Sequence, residues 1–254
     1  MTEHIRATTA DGILTLVMDR PDKKNALTDA MYAAMADAIE GAQTDTAARV
    51  IVIRGEGDMF TAGNDLSDFA SARPGAAAQG VQRFLDALVA NDKPLVAAVQ
   101  GRAVGVGTTM LLHCDHVILA EDTRLSTPFV TLGLVPEAAS SLLLTARIGH
   151  LRAFSMLALG EAIGASDALA LGLTNAVVPA AELVEAIEAV AARIVRLPTG
   201  AVQATKRLMR DKAVMVQTMA AESVVFAERL QSPEAKEAFA AFAERRPADF
   251  SRFG

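Results

Sequence analysis

Three short apolar runs restrict the fold most: VIVIRG at 50–55, PLVAAVQG at 94–101 and HVILA at 116–120. A strand with one wet face alternates apolar and polar residues. These runs barely alternate, so each reads as a strand covered on both faces. Helical patterns separate the first of them from its neighbours. Thr28 or Asp29 caps the Ala-rich segment DAMYAAMADAIEGAQ, and a second helix is expected around 80–90. ILTLVMDR (13–20) reads as a further strand after the turn signal Asp11-Gly12. Strands and helices in alternation predict α/β layering with parallel pairing. From about residue 146 the chain reads as mostly helical, and AELVEAIEAVAARIVRL (181–197) has a clear amphipathic period. No internal repeat or convincing linker divides the chain.

Composition limits the rest. The 254 residues suit one large domain, or one domain with a helical appendage. Hydrophobic residues make up 52% but aromatics only 4%, so Ala, Leu, Val, Ile and Met must build the core. The net charge of -6 and the lack of a basic stripe argue against nucleic acid as a partner. No uncharged apolar run reaches membrane-spanning length, and MTEHIRATTADG has no signal-peptide pattern, so a cytoplasmic location is expected. One cysteine, Cys114, allows no internal disulfide. His113, Cys114, Asp115 and His116 are consecutive, a poor arrangement for tetrahedral metal ligation, and no metal is expected.

Two glycine-containing loops and one acid are the chemical candidates. GRAVGVGTTM (101–110) lacks the Gly-Lys-Ser/Thr ending of a P-loop, and its glycines at 101, 105 and 107 do not give GxGxxG. It reads either as a strand-to-helix turn needing glycine backbone angles, or as a turn exposing a backbone N–H to a developing oxyanion. AGND (62–65) offers a second N–H in the same manner, with Asp65 as an N-cap. No GxSxG elbow is present, and Cys114 lies in an apolar stretch, so nucleophilic triads fit poorly. LGLVPEAASS (132–141) holds a single carboxylate, Glu137, among apolar and small residues. Taken alone, it reads as decoration of a helix start after Pro136. Kept in an apolar pocket, it has a raised pKa suited to reversible proton transfer.

Several stretches in order resemble the enoyl-CoA hydratase/isomerase, or crotonase, family. They are RPDKKNALT, FTAGNDL, PLVAAVQGRAVGVGTTMLLHCDHVILAEDTRLSTPFVTLGLVPEAASS, GLTNAVVP, ATKRLMR and SPEAKEAFAAFAERRPADF, and they cover nearly the whole chain. The resemblance implies an α/β spiral of ββα units over 1–195 and a C-terminal helical trimerisation region over 196–254. It implies a homotrimer or dimer of trimers. It implies an acyl-CoA thioester as partner, with coenzyme A entering as part of the substrate and no separate cofactor. The oxyanion hole would be the backbone N–H groups of Asn64 and Val106. Lys24, with Lys23 beside it, and Ala26 would border the CoA. Ala62, Gly63, Asp65 and Leu66 would flank the CoA and thioester, with Gly105 shaping the second loop. Lys206 and the Phe239/Phe242 region would approach CoA, from the same chain or from a neighbouring subunit.

The acids decide the reaction. Hydratases of this family usually carry two glutamates, at positions matched here by Thr109 and Phe129. Both are missing. The branch similar to peroxisomal Δ3,Δ2-enoyl-CoA isomerases carries one glutamate in a segment like SPEGCSS, matched by VPEAASS and Glu137. Phe129 and Leu132 would line the acyl pocket, and segment 71–80 would help shape it. The resemblance thus implies a single Glu137 proton shuttle moving a double bond from C3 to C2. A hydratase or other crotonase-type reaction, with water held at Thr109, and an inactive acyl-CoA-binding scaffold are the alternatives.

Overall fold

The computed structural model describes residues 3–65 and 79–253. Its larger sheet has six strands in the order β1-β2-β3-β4-β6-β9. β1 (Ile5–Ala10) and β2 (Ile13–Met18) form an antiparallel hairpin, with Ala10 opposite Ile13. Asp11 and Gly12 turn it with φ of 51° and 83°, the left-handed pair that a two-residue hairpin favours. β1 was not among the expected strands. It lies at the sheet edge with little but Ile5 buried, so its apolar signal is weak. β3 (Val50–Gly55), β4 (Leu95–Val99), β6 (His116–Ala120) and β9 (Ala176–Val178) then add in parallel. β9 falls in the stretch read as mostly helical; it is three residues long and half-buried.

A second layer holds β5 (Arg102–Val104), β7 (Arg124–Ser126) and β8 (Ile163–Gly164). Parallel bridges Thr61–Ala103 and Leu27–Asn64 extend it toward the N-terminal half. Each turn of the chain therefore lays a long strand in the large sheet and a short extended piece in the second layer. This is the spiral of ββα units expected from the resemblance.

The continuous apolar runs are explained by two cores. Ile51 and Ile53 of β3, Ala97 of β4 and Leu119 of β6 pack on one face with Met31, Met35, Ile39, Phe84 and Leu88 from helices Asp29–Thr44 and Gln79–Ala90. Val50, Val52, Val96, Ala98 and Ile118 face the other way, against Leu183, Ile187 and Ala191 of helix Leu183–Val195. Adjacent residues of one strand thus enter different cores, because strand side chains alternate. Thr28, rather than Asp29, caps helix Asp29–Thr44, its hydroxyl accepting from the N–H of Met31 at 3.3 Å.

Helices Thr199–Met209, Lys212–Leu230 and Pro233–Ala243 end the chain. Buried Lys206 pins the first. Its Nζ donates to the Lys93 carbonyl at 2.6 Å and to the Asp115 carboxylate at 2.7 Å. Asp115 also accepts from the Leu95 N–H, which holds the start of β4. Helix Lys212–Leu230 packs on Gln79–Ala90 and Ser140–Ile148, and Pro233–Ala243 packs over Val130–Leu132. Among the described residues, no helix is long and apolar enough to cross a membrane.

Candidate active site

The second layer brings the two glycine loops together. Leu27 donates to the Gly63 carbonyl at 2.8 Å, and Asp65 donates to the Leu27 carbonyl at 2.9 Å. Along an extended chain alternate residues turn their peptide groups to opposite sides. Asn64, between those two bonds, therefore turns its own N–H away from Leu27. One strand further, Thr61 donates to Arg102 and accepts from Val104, each at 3.1 Å. Gly107 packs so closely on Thr61 that a Cβ there would stand 2.4 Å from the Thr61 methyl. A Cβ on Gly63 would stand 2.8 Å from the Val104 carbonyl oxygen. Gly105 has space around it but adopts φ 56°, ψ −118°, a backbone state essentially closed to L-residues. That kink starts helix Val106–Thr109 and leaves Val106 as its first residue. Among the described residues, the N–H groups of Asn64 and Val106 have no acceptor within the protein.

Both residues line one cavity of about 670 Å³. Ala26, Ala62, Gly63, Asp65, Gly105, Phe129 and Leu132 line it as well. Its remaining wall is mainly apolar, with Leu134 and the C-terminal Phe226, Phe239 and Phe242. The phenylalanines reach the cavity from the chain's own terminal helices. Lys23 is on the lining, whereas Lys24 turns outward to an exposed pair with Asp58 at 2.7 Å. Asp65 pairs with Arg20 at 2.6 Å, and Arg20 also donates to the Ala26 carbonyl, so this acid ties the two loops together. The helix that Asp65 was expected to cap, Leu66, and most of segment 71–80 lie outside the described residues. Thr109 is fully buried beneath the glycine turn and is not on the lining. Lys206 is likewise elsewhere, under its own helix. Cys114 is buried and its thiol is pushed up to about 12 by desolvation, which removes it as a nucleophile.

Glu137 is not on that lining. Its carboxyl is buried, and Oε1 has no hydrogen-bond partner among the described residues. Ser140 Oγ is the other buried side-chain oxygen in that condition. Buried polar atoms are normally satisfied, so an orphan acid is a candidate for chemistry. Desolvation first, and then the nearby charge of Glu222, raise its pKa from 4.5 to about 7. Glu137 in turn opposes ionisation of the buried Tyr32 hydroxyl, after desolvation the next largest influence on it. That hydroxyl donates to Asn64 Oδ1, which connects the acid to the Asn64 end of the cavity.

Tyr32, Glu222 and Phe226 were not singled out in the sequence. Tyr32 is the only tyrosine, but it occupies an apolar-face position of an amphipathic helix and reads as core. Glu222 sits in AAESVVFAERL and reads as one charge on a solvated helix face.

The enoyl-CoA hydratase/isomerase family profile matches residues 8–252. The chain is 34% identical over 241 residues to the 2,3-dehydroadipyl-CoA hydratase of Escherichia coli K12, covering 94% of each chain. It is 33% identical over 251 residues to enoyl-CoA delta isomerase 2 of Rattus norvegicus, covering 96% of this chain and 64% of the rat protein. The crystal structure of an enoyl-CoA hydratase/isomerase from Pseudoalteromonas atlantica T6c superposes with a TM-score of 0.94 at 40% identity, covering 98% of this chain and 100% of that one. The fold, the paired glycine loops and these matches agree: the chain belongs to the enoyl-CoA hydratase/isomerase, or crotonase, family.

Proposed function

We propose that this acyl-CoA enzyme shifts the double bond of a 3-enoyl-CoA to the 2-position. The observation that carries the reading is Glu137: a buried carboxyl with a partnerless oxygen and a pKa near 7. Such a group takes a proton and returns it with little free-energy change at neutrality. The two family hydratase positions hold Thr109 and Phe129, neither of which moves protons. In the proposed cycle the thioester carbonyl accepts from the N–H groups of Asn64 and Val106. Glu137 takes a C2 proton, the two donors hold the dienolate oxygen, and Glu137 returns the proton at C4. Moving a proton between two carbons needs one base. Adding water needs the water deprotonated and a carbon protonated, a task commonly shared by two groups. The acyl chain must reach past the cavity lining to Glu137, and Phe129, Leu132 and Leu134 supply the apolar surface beside that route.

Lys23 on the lining fits the phosphates of CoA better than the outward-turned Lys24. We also retain the homotrimer for region 196–254; exposed Leu208 and Met209 on its first helix support a self-association face. A hydratase reading is supported by the names of several relatives, the Escherichia coli hydratase among them.

Two parallel incubations separate the readings. A conjugated product of unchanged mass from a 3-enoyl-CoA, abolished in Glu137→Gln, is the expected result. A product heavier by one water from a 2-enoyl-CoA, without isomerisation of the first substrate, overturns it in favour of hydration. No change in either substrate leaves a binding scaffold.

A further inference from the structure

The segment after Glu137 is strained. Ala138 and Ala139 both adopt left-handed backbone, with φ of 59° and 55°. Neither is glycine, and consecutive left-handed residues persist only where the surroundings over-determine them. Two groups do so. Glu222, from the middle of helix Lys212–Leu230, accepts from the Ala139 N–H at 2.7 Å and from the Ser141 N–H at 2.9 Å, and takes the Ser141 hydroxyl as well. It thereby caps the start of helix Ser140–Ile148, whose Ala139 cap position carries no side-chain cap of its own. His113 acts on the other side of the turn. Arg210 only donates, so the His113 Nδ1 it meets at 3.1 Å is the acceptor, and the Nε2 proton is given to the Ala138 carbonyl at 2.8 Å. His113 is buried and held neutral, its pKa lowered to about 3 by desolvation.

We propose that Glu222 is a positioning residue for Glu137: it locks the left-handed turn that aims the Glu137 carboxyl, and it stands as a second acid beside that carboxyl. This rests on the isomerase reading of Glu137 and adds a role that lies 85 residues along the chain. Three donors converge on Glu222, which therefore serves the turn as its hydrogen-bond acceptor. Without an acceptor for the Ala139 N–H, the turn loses one of the bonds that hold its two left-handed alanines. The titratable groups facing Glu137 are Glu222 from helix Lys212–Leu230 and the Tyr32 hydroxyl from helix Asp29–Thr44. His113 and Arg210 stand behind the turn.

The test uses the full chain in three forms: wild type, Glu222→Gln and Glu137→Gln. Isomerisation of a 3-enoyl-CoA is followed against pH. The protonated-carboxyl infrared band that is lost in Glu137→Gln is titrated in parallel, without substrate. In wild type the rate rises with pH as Glu137 loses its proton. In Glu222→Gln the midpoint of that rise and of the infrared titration both move down by about one pH unit. The same variant lowers kcat by about tenfold while KM stays within about twofold. A merely structural cap would lower thermal stability and leave both midpoints in place, and that outcome overturns the proposal. If Glu222→Gln does not fold, Ser141→Ala removes one donor and leaves the charge. It should lower kcat about threefold with unchanged KM; an unchanged kcat overturns the proposal. Isomerisation surviving in Glu137→Gln defeats the Glu137 shuttle alone, because the infrared titration still reports whether Glu222 acts on Glu137.

Discussion

Among the described residues three glutamates are buried, and two of them, Glu137 and Glu237, have opposite environments. Glu137 has a partnerless oxygen and is pushed up to about 7. Glu237, in helix Pro233–Ala243, has a side chain only 5% exposed, yet it is pulled down to about 2. Arg246 and Arg252 each reach it at 2.5 Å, and the Asp249 N–H donates at 3.0 Å. Shielding from water raises a carboxyl, as it does chiefly for Glu137, but at Glu237 the hydrogen-bonding partners outweigh it. Glu237 has two guanidinium groups and a backbone donor, and it fastens the C-terminal tail to its helix. Glu137 has a second carboxylate nearby and no donor at Oε1, so its proton is exchangeable near neutrality. One residue type serves as a clamp in one region and fits a proton shuttle in the other.

The largest expected break in this comparison is kinetic. Glu137→Gln should lower isomerisation by about 10²–10⁴-fold, the usual worth of a positioned acid–base group, while the acyl-CoA still binds. Glu237→Gln should leave kcat and KM within about twofold, since Glu237 itself is not on the cavity lining. Progress curves at conjugated-enoyl absorbance read both.

The next difference is in stability and has opposite signs. The folded pKa of Glu137 lies above its ordinary value, so the native state holds the extra proton between pH 4.5 and about 7 and loses stability as pH rises through that window. The full loss at pH 8 is about 3 kcal/mol. Glu137→Gln should therefore melt higher than wild type at pH 8 and show little advantage at pH 4. Glu237 runs the other way. Its contribution is present above its ordinary value of 4.5 and disappears as pH falls toward about 2. Glu237→Gln should melt lower than wild type at pH 7, with the gap closing in acid. Calorimetry of the two variants at pH 4 and pH 8 checks both signs. The smallest effect concerns salt: the Glu237 clamp uses partly exposed arginines, so high ionic strength should narrow its variant's deficit and leave the Glu137 effect unchanged.

Much of this architecture is legible in the residues. The apolar runs 50–55, 94–101 and 116–120 become β3, β4 and β6, because a strand between two cores needs apolar side chains on both faces. The edge strand β1 and the three-residue β9 were not legible, since neither buries enough to show a period. At the site, glycines 63, 105 and 107 announced unusual backbone, and the structure places each where a Cβ would collide or the dihedral is closed to other residues. The residues alone left both Lys23 and Lys24 beside the CoA; left-handed backbone at Lys24 and Asn25 turns Lys24 onto Asp58 and leaves Lys23 by the cavity.

By itself, then, the sequence determined which segments are doubly covered strands, which loops must be glycine, and that one acid stands alone in an apolar stretch. Those properties are local, written in side-chain size, backbone freedom and hydropathy. Tertiary structure alone decided that the two glycine loops share a cavity, that Tyr32 reaches Asn64, and that Glu222 holds the turn behind Glu137. Each of these joins residues tens of positions apart. Their energy arises only when the spiral closes and water leaves, because hydrogen bonds and charge effects gain their strength in that low-dielectric space.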